Sequence, residues 1–112
     1  FLDISSFDFS HISEFILHAD FDPDVLVSKI PSMRNMVDLS IGLEAFDEEK
    51  TNSLTSALMS IRQHYTPLTY SKIETVFFGY HDSLNLSDTF FEAIEELHYL
   101  LPRLKNLECM SN

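Results

Sequence analysis

The segment Leu104–Asn112, with the sequence LKNLECMSN, has apolar residues at its first, fourth and sixth positions and an asparagine at its ninth. The same apolar spacing recurs upstream in three further segments: Ile12–Asp20, Met36–Glu44 and Ile73–His81. The only two glycines of the chain, Gly42 and Gly79, each directly follow the third apolar position. A repeat of this kind predicts a stacked solenoid, and most solenoids serve as binding proteins.

Each copy of the repeat contains a short segment whose apolar residues alternate, which predicts one β-strand per copy. The predicted strands are Glu14–His18, Asp38–Gly42, Thr75–Gly79 and Asn106–Met110. The stretches between them have apolar residues at helical spacing. The predicted helices run over about Asp22–Ile30, Asp47–Tyr65 and Thr89–Leu101. The chain therefore alternates between strand and helix.

Capping residues support the predicted helix starts. Asp22 precedes Pro23, which suits the first position of a helix, and acidic residues from Asp47 onward favour the start of the second helix. Thr89 and Glu92 have the spacing of a capping box, which predicts the start of the third helix.

Two alternatives for the phase of the repeat stay open. The segments Ile30–Met36 and Leu101–Leu107 share the order apolar, Pro, any residue, apolar, basic, Asn, apolar. Aligning those segments places Met36 opposite Leu107, whereas the glycines place Leu39 there, and we adopt the glycine-based phase. The first motif could instead begin at Ile4, as Ile4-x-x-Phe7-x-Phe9.

Composition limits the classes of partner. The chain has 112 residues, 45% of them hydrophobic, which is enough for one domain with a real core. Seven Lys and Arg against 18 Asp and Glu give a net charge of −11. Such a charge argues against nucleic acid and anionic membranes as partners. It favours a basic protein partner, or serves solubility alone.

The cysteine content favours a location inside the cell, and the apolar runs are too short for a membrane span. Cys109 is the only cysteine and stands at an apolar position of the repeat, which suits a reducing compartment. No apolar run approaches the 20 or so residues that a membrane span needs. We expect a cytoplasmic or nuclear protein, and a single domain over residues 1–112 that belongs to a longer array.

The stretch from Ile12 to Asn112 resembles the leucine-rich repeat family, most clearly at Leu101–Asn112. Its irregular, helix-bearing repeats are similar to the intracellular ribonuclease-inhibitor, F-box and immune-receptor types. The ninth position departs from the family, because it is Asp20, Glu44 and His81 in three copies. Only Asn112 is the residue that the family would place there.

The resemblance implies an α/β leucine-rich-repeat solenoid of about four repeats, with parallel strands on the concave face and helices on the convex face. It also implies that the residues between the strand leucines, together with a loop residue after the third strand, bind a partner protein. The expected partner-binding residues are Glu14, His18, Asp38, Ser40, Thr75, Phe77, Tyr80 and Glu108. For Phe77, burial by a neighbouring helix is an equal alternative.

The sequence gives little support to catalysis or metal binding. The run from His18 through Asp20, Asp22 and Asp24 fails as an EF-hand, because Val25 and Pro31 stand where Gly and Glu are required. The run 81–83 has His, Asp and Ser, but no nucleophile elbow or phosphate loop accompanies it. We therefore expect no catalytic residue, no metal site and no cofactor.

The predicted function is protein recognition without chemistry, as a substrate receptor or a ligand sensor. The alternative is a compact, non-catalytic structural subunit of a larger complex.

Overall fold

The computed structural model describes residues 1–111, which form an α/β fold with a four-stranded parallel sheet. Its elements are β1 (Glu14–Leu17), α1 (Pro23–Lys29), β2 (Asp38–Gly42), α2 (Glu48–Met59), α3 (Ile61–His64), β3 (Thr75–Tyr80), α4 (Asp88–Ile94), α5 (Glu96–Leu100) and β4 (Asn106–Ser111). A 3₁₀ turn, Ile30–Ser32, follows α1. The radius of gyration is 13.0 Å, as expected for a compact chain of this length.

The strands lie in the order β1-β2-β3-β4, and every neighbouring pair is parallel. Phe15, Leu39, Val76 and Leu107 form one continuous rung across the sheet. Gly42 lies opposite Gly79. The glycine-based phase is therefore confirmed, and the alternative that places Met36 opposite Leu107 is wrong.

The strand starts also share a hydrogen-bond arrangement. In each case one carbonyl before a strand accepts two amide groups from the start of the next strand. Ser13 O accepts from Val37 N (2.7 Å) and Asp38 N (3.2 Å), Val37 O from Glu74 N (2.9 Å) and Thr75 N (3.2 Å), and Glu74 O from Lys105 N (2.8 Å) and Asn106 N (3.0 Å). Because the same pattern recurs three times, the four strand starts are structurally equivalent.

The segment before β1 forms turns and no strand, so a first strand at Ile4–Phe9 is wrong. Ile4 and Phe9 are nevertheless fully buried. The Phe9 ring meets Phe15 of β1 edge to face, with ring centroids 5.1 Å apart. The segment therefore covers the β1 end of the core.

The second predicted helix begins as expected but is broken. Asp47 caps α2 by accepting from Lys50 N at 2.8 Å. The helix ends at Ser60, where ψ is −3°, and α3 begins afterwards. The Ser60 hydroxyl donates to Ser56 O at 2.9 Å, a kind of bond that Thr51 and Thr55 also make within the unbroken part of α2.

The first and third predicted helices also differ in detail. Asp22 caps α1 as expected, but Ile30 belongs to the 3₁₀ turn that contains Pro31. The N-cap of α4 is Ser87, whose side chain accepts from Phe90 N at 3.2 Å, so the capping box at Thr89 is wrong. The predicted single helix is divided at Glu95 into α4 and α5.

The helices cover one face of the sheet. Leu39, Ile41, Val76 and Phe78 of the strands line one small apolar space together with Leu26, Leu54, Leu58 and Leu97 of the helices. The Phe78 ring meets Phe90 of α4 at 6.0 Å between centroids. At the β4 end of this core, Leu107 and Cys109 remain only partly buried. At the β1 end Phe15 is also partly buried, but Leu17 is only 1% exposed, so the β1 end is better covered than the β4 end.

Candidate binding face

The strand residues that point away from the helices form what we call the open face. They are Glu14, Ile16, Asp38, Ser40, Gly42, Thr75, Phe77, Gly79, Asn106, Glu108 and Met110. Most of them are exposed or partly exposed, and Ile16 (65%) and Met110 (55%) are the most exposed apolar ones. Parallel sheets are usually covered on both faces, so an uncovered face is unusual.

Strand register arranges the open face in rows. Glu14, Asp38, Thr75 and Asn106 form the first row, and Ile16, Ser40, Phe77 and Glu108 form the second. Neighbours within a row are one strand spacing apart, about 4.8 Å. Six of the eight residues expected to bind a partner thus lie in two adjacent rows.

The other two expected residues lie elsewhere. His18 directly follows β1 and is exposed, with its Nδ1 3.7 Å from Glu44 Oε2 beside Gly42. Tyr80 lies on the opposite face of the sheet from Phe77, is half-buried and packs against the hydrophobic core. The structure therefore brings His18 to the edge of the open face and does not bring Tyr80 to it.

Two carboxylates meet on the first row. Glu14 lies directly opposite Asp38, a like-charge pair that is unfavourable across neighbouring strands. Among residues 1–111, neither carboxylate has a cationic side chain within ion-pair distance. Both line a shallow recess of about 410 Å³ together with Phe15, Ile16 and Ser40. A cation from a partner would relieve the repulsion in this recess.

The four strands contain no lysine or arginine. Five of the seven lysine and arginine side chains are engaged off the strands: Lys50 with Asp20 (2.9 Å), Arg62 with Glu96 (2.6 Å), Lys105 with Glu74 (3.8 Å), Lys72 with Asn35 (3.2 Å), and Arg34 over the Tyr70 ring (4.5 Å). The open face therefore has negative charge without positive charge of its own.

The paired glycines are buried beneath neighbouring side chains of the open face. A side-chain carbon on Gly42 would collide with Glu44 Oε2 and come within 2.8 Å of His18 Nδ1. One on Gly79 would lie 3.2 Å from Phe77 Cε1 and 3.9 Å from Glu44 Oε1. We call these five residues, His18, Gly42, Glu44, Phe77 and Gly79, the glycine cradle.

Glu44 was not among the residues expected from the sequence. It has the same alternation as Asp38, Ser40 and Gly42, because it lies two residues beyond Gly42. That spacing was the available signal. It was missed because β2 ends at Gly42, and the backbone at Glu44 is a turn.

The ninth position of each copy is used differently in the structure. Asp20 pairs with Lys50, and this contact lowers the pKa of Asp20 below its usual value. Glu44 belongs to the glycine cradle. His81 Nδ1 accepts from Ser83 N at 3.1 Å. Asn112, the expected asparagine of the fourth copy, lies outside the described residues.

The contact between His81 and Ser83 fits a turn better than a catalytic site. His81 Nδ1 lies 2.8 Å from Ser83 Oγ and accepts from the Ser83 amide as well. One ring nitrogen has one lone pair, so the amide competes with the hydroxyl for it. Both residues are exposed and line a recess of about 240 Å³ with Glu44 and Asp47.

A metal-binding cluster and the Cys109 thiol are the remaining candidates for reactive chemistry. Within the described part of the chain, no three or more His, Cys, Asp or Glu side chains are placed to hold a metal ion, and this includes the run from His18 to Asp22. Burial raises the pKa of the Cys109 thiol to about 11, which disfavours the nucleophilic thiolate.

No helix within residues 1–111 has the length and apolar character to cross a membrane.

Comparisons of the chain with protein-family models, with curated proteins and with solved structures find no match.

Proposed function

We propose that this chain is a non-catalytic, intracellular recognition module that binds a basic segment of a partner protein through its open face. The observation that carries the proposal is an uncovered parallel face with carboxylates and no lysine or arginine on its strands. As a substrate receptor or a ligand sensor, such a module acts by holding its partner.

We further propose that the chain is about four repeats of a leucine-rich-repeat solenoid, with the open face on the concave side. The equivalent strand starts and the continuous rung through Leu39 support this architecture. So does the difference between the two sheet ends. The segment with Ile4 and Phe9 covers the β1 end, whereas Leu107 and Cys109 at the β4 end are partly buried. A further repeat stacked on β4 would bury them.

Charge and exposure together favour a polypeptide partner. The opposed Glu14 and Asp38 favour a cation and disfavour a phosphate-bearing ligand at that recess. The exposed Ile16 and Met110 offer apolar contact area at the two sides of the face. A polypeptide with basic and apolar residues satisfies both features.

The test compares two double charge reversals. Glu14→Lys with Asp38→Lys changes the open face, and Glu49→Lys with Glu92→Lys makes the same change of net charge on exposed helical residues. The probe is a hexalysine peptide, with binding measured by calorimetry at several salt concentrations. We expect the open-face variant to lose about tenfold in affinity, or ~1.4 kcal/mol, and to show a flatter salt dependence.

The helical variant serves as the matched control and should retain most of the affinity. Equal losses in both variants would mean that the peptide senses only net charge, and the open face would not be the binding site. Unfolding curves of each variant confirm that the fold is intact.

The compact shape favours a second candidate, a structural subunit of a larger complex. A radius of gyration of 13.0 Å and a buried N-terminal segment fit a self-contained domain. A monomer that melts at high temperature in one two-state transition, and binds no basic peptide, would favour this candidate.

A further inference from the structure

The two glycines of the cradle are required for space and not for backbone conformation. No residue within 1–111 has a positive φ, so any amino acid could adopt the backbone at Gly42 and Gly79. Glycine inside a strand costs stability, because its unfolded state is more flexible. A side chain at Gly42 would occupy the position of the Glu44 carboxylate. The glycines therefore let Glu44 lie across the sheet.

An aromatic ring and a carboxylate converge above the two glycines. Phe77 Cε1 and Glu44 Oε1 both lie within 4 Å of the point where a Gly79 side chain would begin. Phe77 is only half-buried on the open face. Glu108 lies next to Phe77 in its row and adds a second carboxylate one strand away. The cradle thus combines a flat apolar surface with negative charge on two sides.

We propose that the glycine cradle binds the guanidinium group of an arginine from the partner. The inference rests on the proposed function and specifies its anchor. A guanidinium is planar, stacks on aromatic rings and donates in pairs to carboxylates. It would lie against Phe77 and donate to Glu44. A lysine ammonium would reach the carboxylate but would lose the stacking.

His18 stands at the entrance of the cradle. Its Nδ1 lies 3.7 Å from Glu44 Oε2, beyond hydrogen-bond distance, and the imidazole is largely exposed. Such a contact is weak. The contact with His18 is therefore a weak competitor for an incoming arginine.

The experiment titrates ¹⁵N-labelled protein with hexa-arginine, hexalysine and hexacitrulline peptides. Citrulline has the shape of arginine without its charge. We expect the amide signals of Gly42 and Gly79 to shift most with hexa-arginine. The affinity should follow the order arginine, lysine, citrulline, with at least a fivefold difference between the first two.

Two variants separate binding from stability. Gly42→Ala should displace the Glu44 carboxylate and lower the hexa-arginine affinity at least fivefold, while the urea midpoint stays the same or rises. Phe77→Leu should abolish the preference for arginine over lysine and leave hexalysine affinity unchanged. Because neither variant removes a charge, net-charge effects cannot produce these results.

Equal binding of arginine and lysine by the unmodified protein would overturn the inference. So would an unchanged hexa-arginine affinity in Gly42→Ala. If these failures occur while Glu14→Lys with Asp38→Lys still weakens hexalysine binding, the cradle assignment is wrong and the proposed function stands. If none of the open-face variants affects binding, both are wrong.

Discussion

Replacing Leu39 with alanine should destabilise the protein far more than the same replacement of Leu107, although both leucines lie on one rung of the sheet. Leu39 is 2% exposed and lines the apolar space between sheet and helices. Its truncation removes buried methyl groups and leaves a cavity, which costs about 3–4 kcal/mol. Leu107 is already partly exposed at the β4 end, so its truncation should cost about 1–2 kcal/mol.

Equilibrium unfolding in urea measures both costs. A domain of this size has a free energy of unfolding on the order of 5–15 kcal/mol, so Leu39→Ala should move the midpoint strongly. The slope of the transition should stay constant, because neither change alters the surface exposed on unfolding by much. The chemistry of the two substitutions is identical, so the difference reports burial alone.

Equal costs at the two positions would refute the reasoning. If both are large, the β4 end is covered and does not accept a further repeat. If both are small, the rung does not form the core. In a longer chain with another repeat stacked on β4, the cost at Leu107 should rise toward that at Leu39.

Three further predictions concern local contacts. Asp47→Ala removes the N-cap of α2 and should lower the free energy of unfolding by about 1 kcal/mol in urea denaturation; no change would mean that Lys50 N finds another acceptor. The contact with Lys50 lowers the pKa of Asp20 in the folded state. The ionised Asp20 therefore stabilises the fold above about pH 4, and this stabilisation is lost as the pH falls through the folded-state pKa. Asp20→Asn should therefore show a weaker fall in urea midpoint between pH 5 and 2, and an unchanged fall would refute this. Burial raises the pKa of Cys109 from 9.0 to about 11 on folding, so the folded state favours the protonated thiol. This contribution to stability is complete below about pH 9 and is lost as the pH rises to about 11. Cys109→Ser should remove that alkaline loss, and folded Cys109 should react with a thiol reagent more slowly at pH 8 than the unfolded chain does.

The strands and their register could be predicted from the sequence. Gly42 and Gly79 mark the same position in two copies, and the structure pairs them. Alternation fixes which residues share a face, because a shift of one residue would turn every apolar side chain outward. The predicted strand ends differ from the observed ones by no more than one residue.

The divisions within the helices could not be predicted from apolar periodicity. Leu58 and Ile61 continue the apolar face across Ser60, so the pattern gives no sign of a break there. The Ser60 hydroxyl donates to Ser56 O at the break, but Thr51 and Thr55 make the same kind of bond within α2, so this bond does not explain the division. Similarly, both Ser87 and Thr89 are good N-caps by residue type, and in the structure it is the Ser87 hydroxyl that accepts an amide, from Phe90, at the start of α4.

The candidate site was partly predictable. Six of its residues follow from alternation alone. Tyr80 was assigned to a loop, but β3 extends through it and alternation turns it toward the core. Glu44 lies beyond the end of β2, where its position depends on the turn and on the space above Gly42. Such contacts between turn and sheet have no periodic signal in the sequence.

The parallel register also limits the shape of the partner that we propose. Neighbouring residues of one row of the open face are ~4.8 Å apart, whereas side chains on one side of an extended peptide are about 6.8 Å apart. An α-helix advances ~5.4 Å per turn, so residues one turn apart nearly match the spacing of the four strands. A helical segment with basic residues one turn apart therefore matches this sheet, and an extended peptide loses register after the first contact.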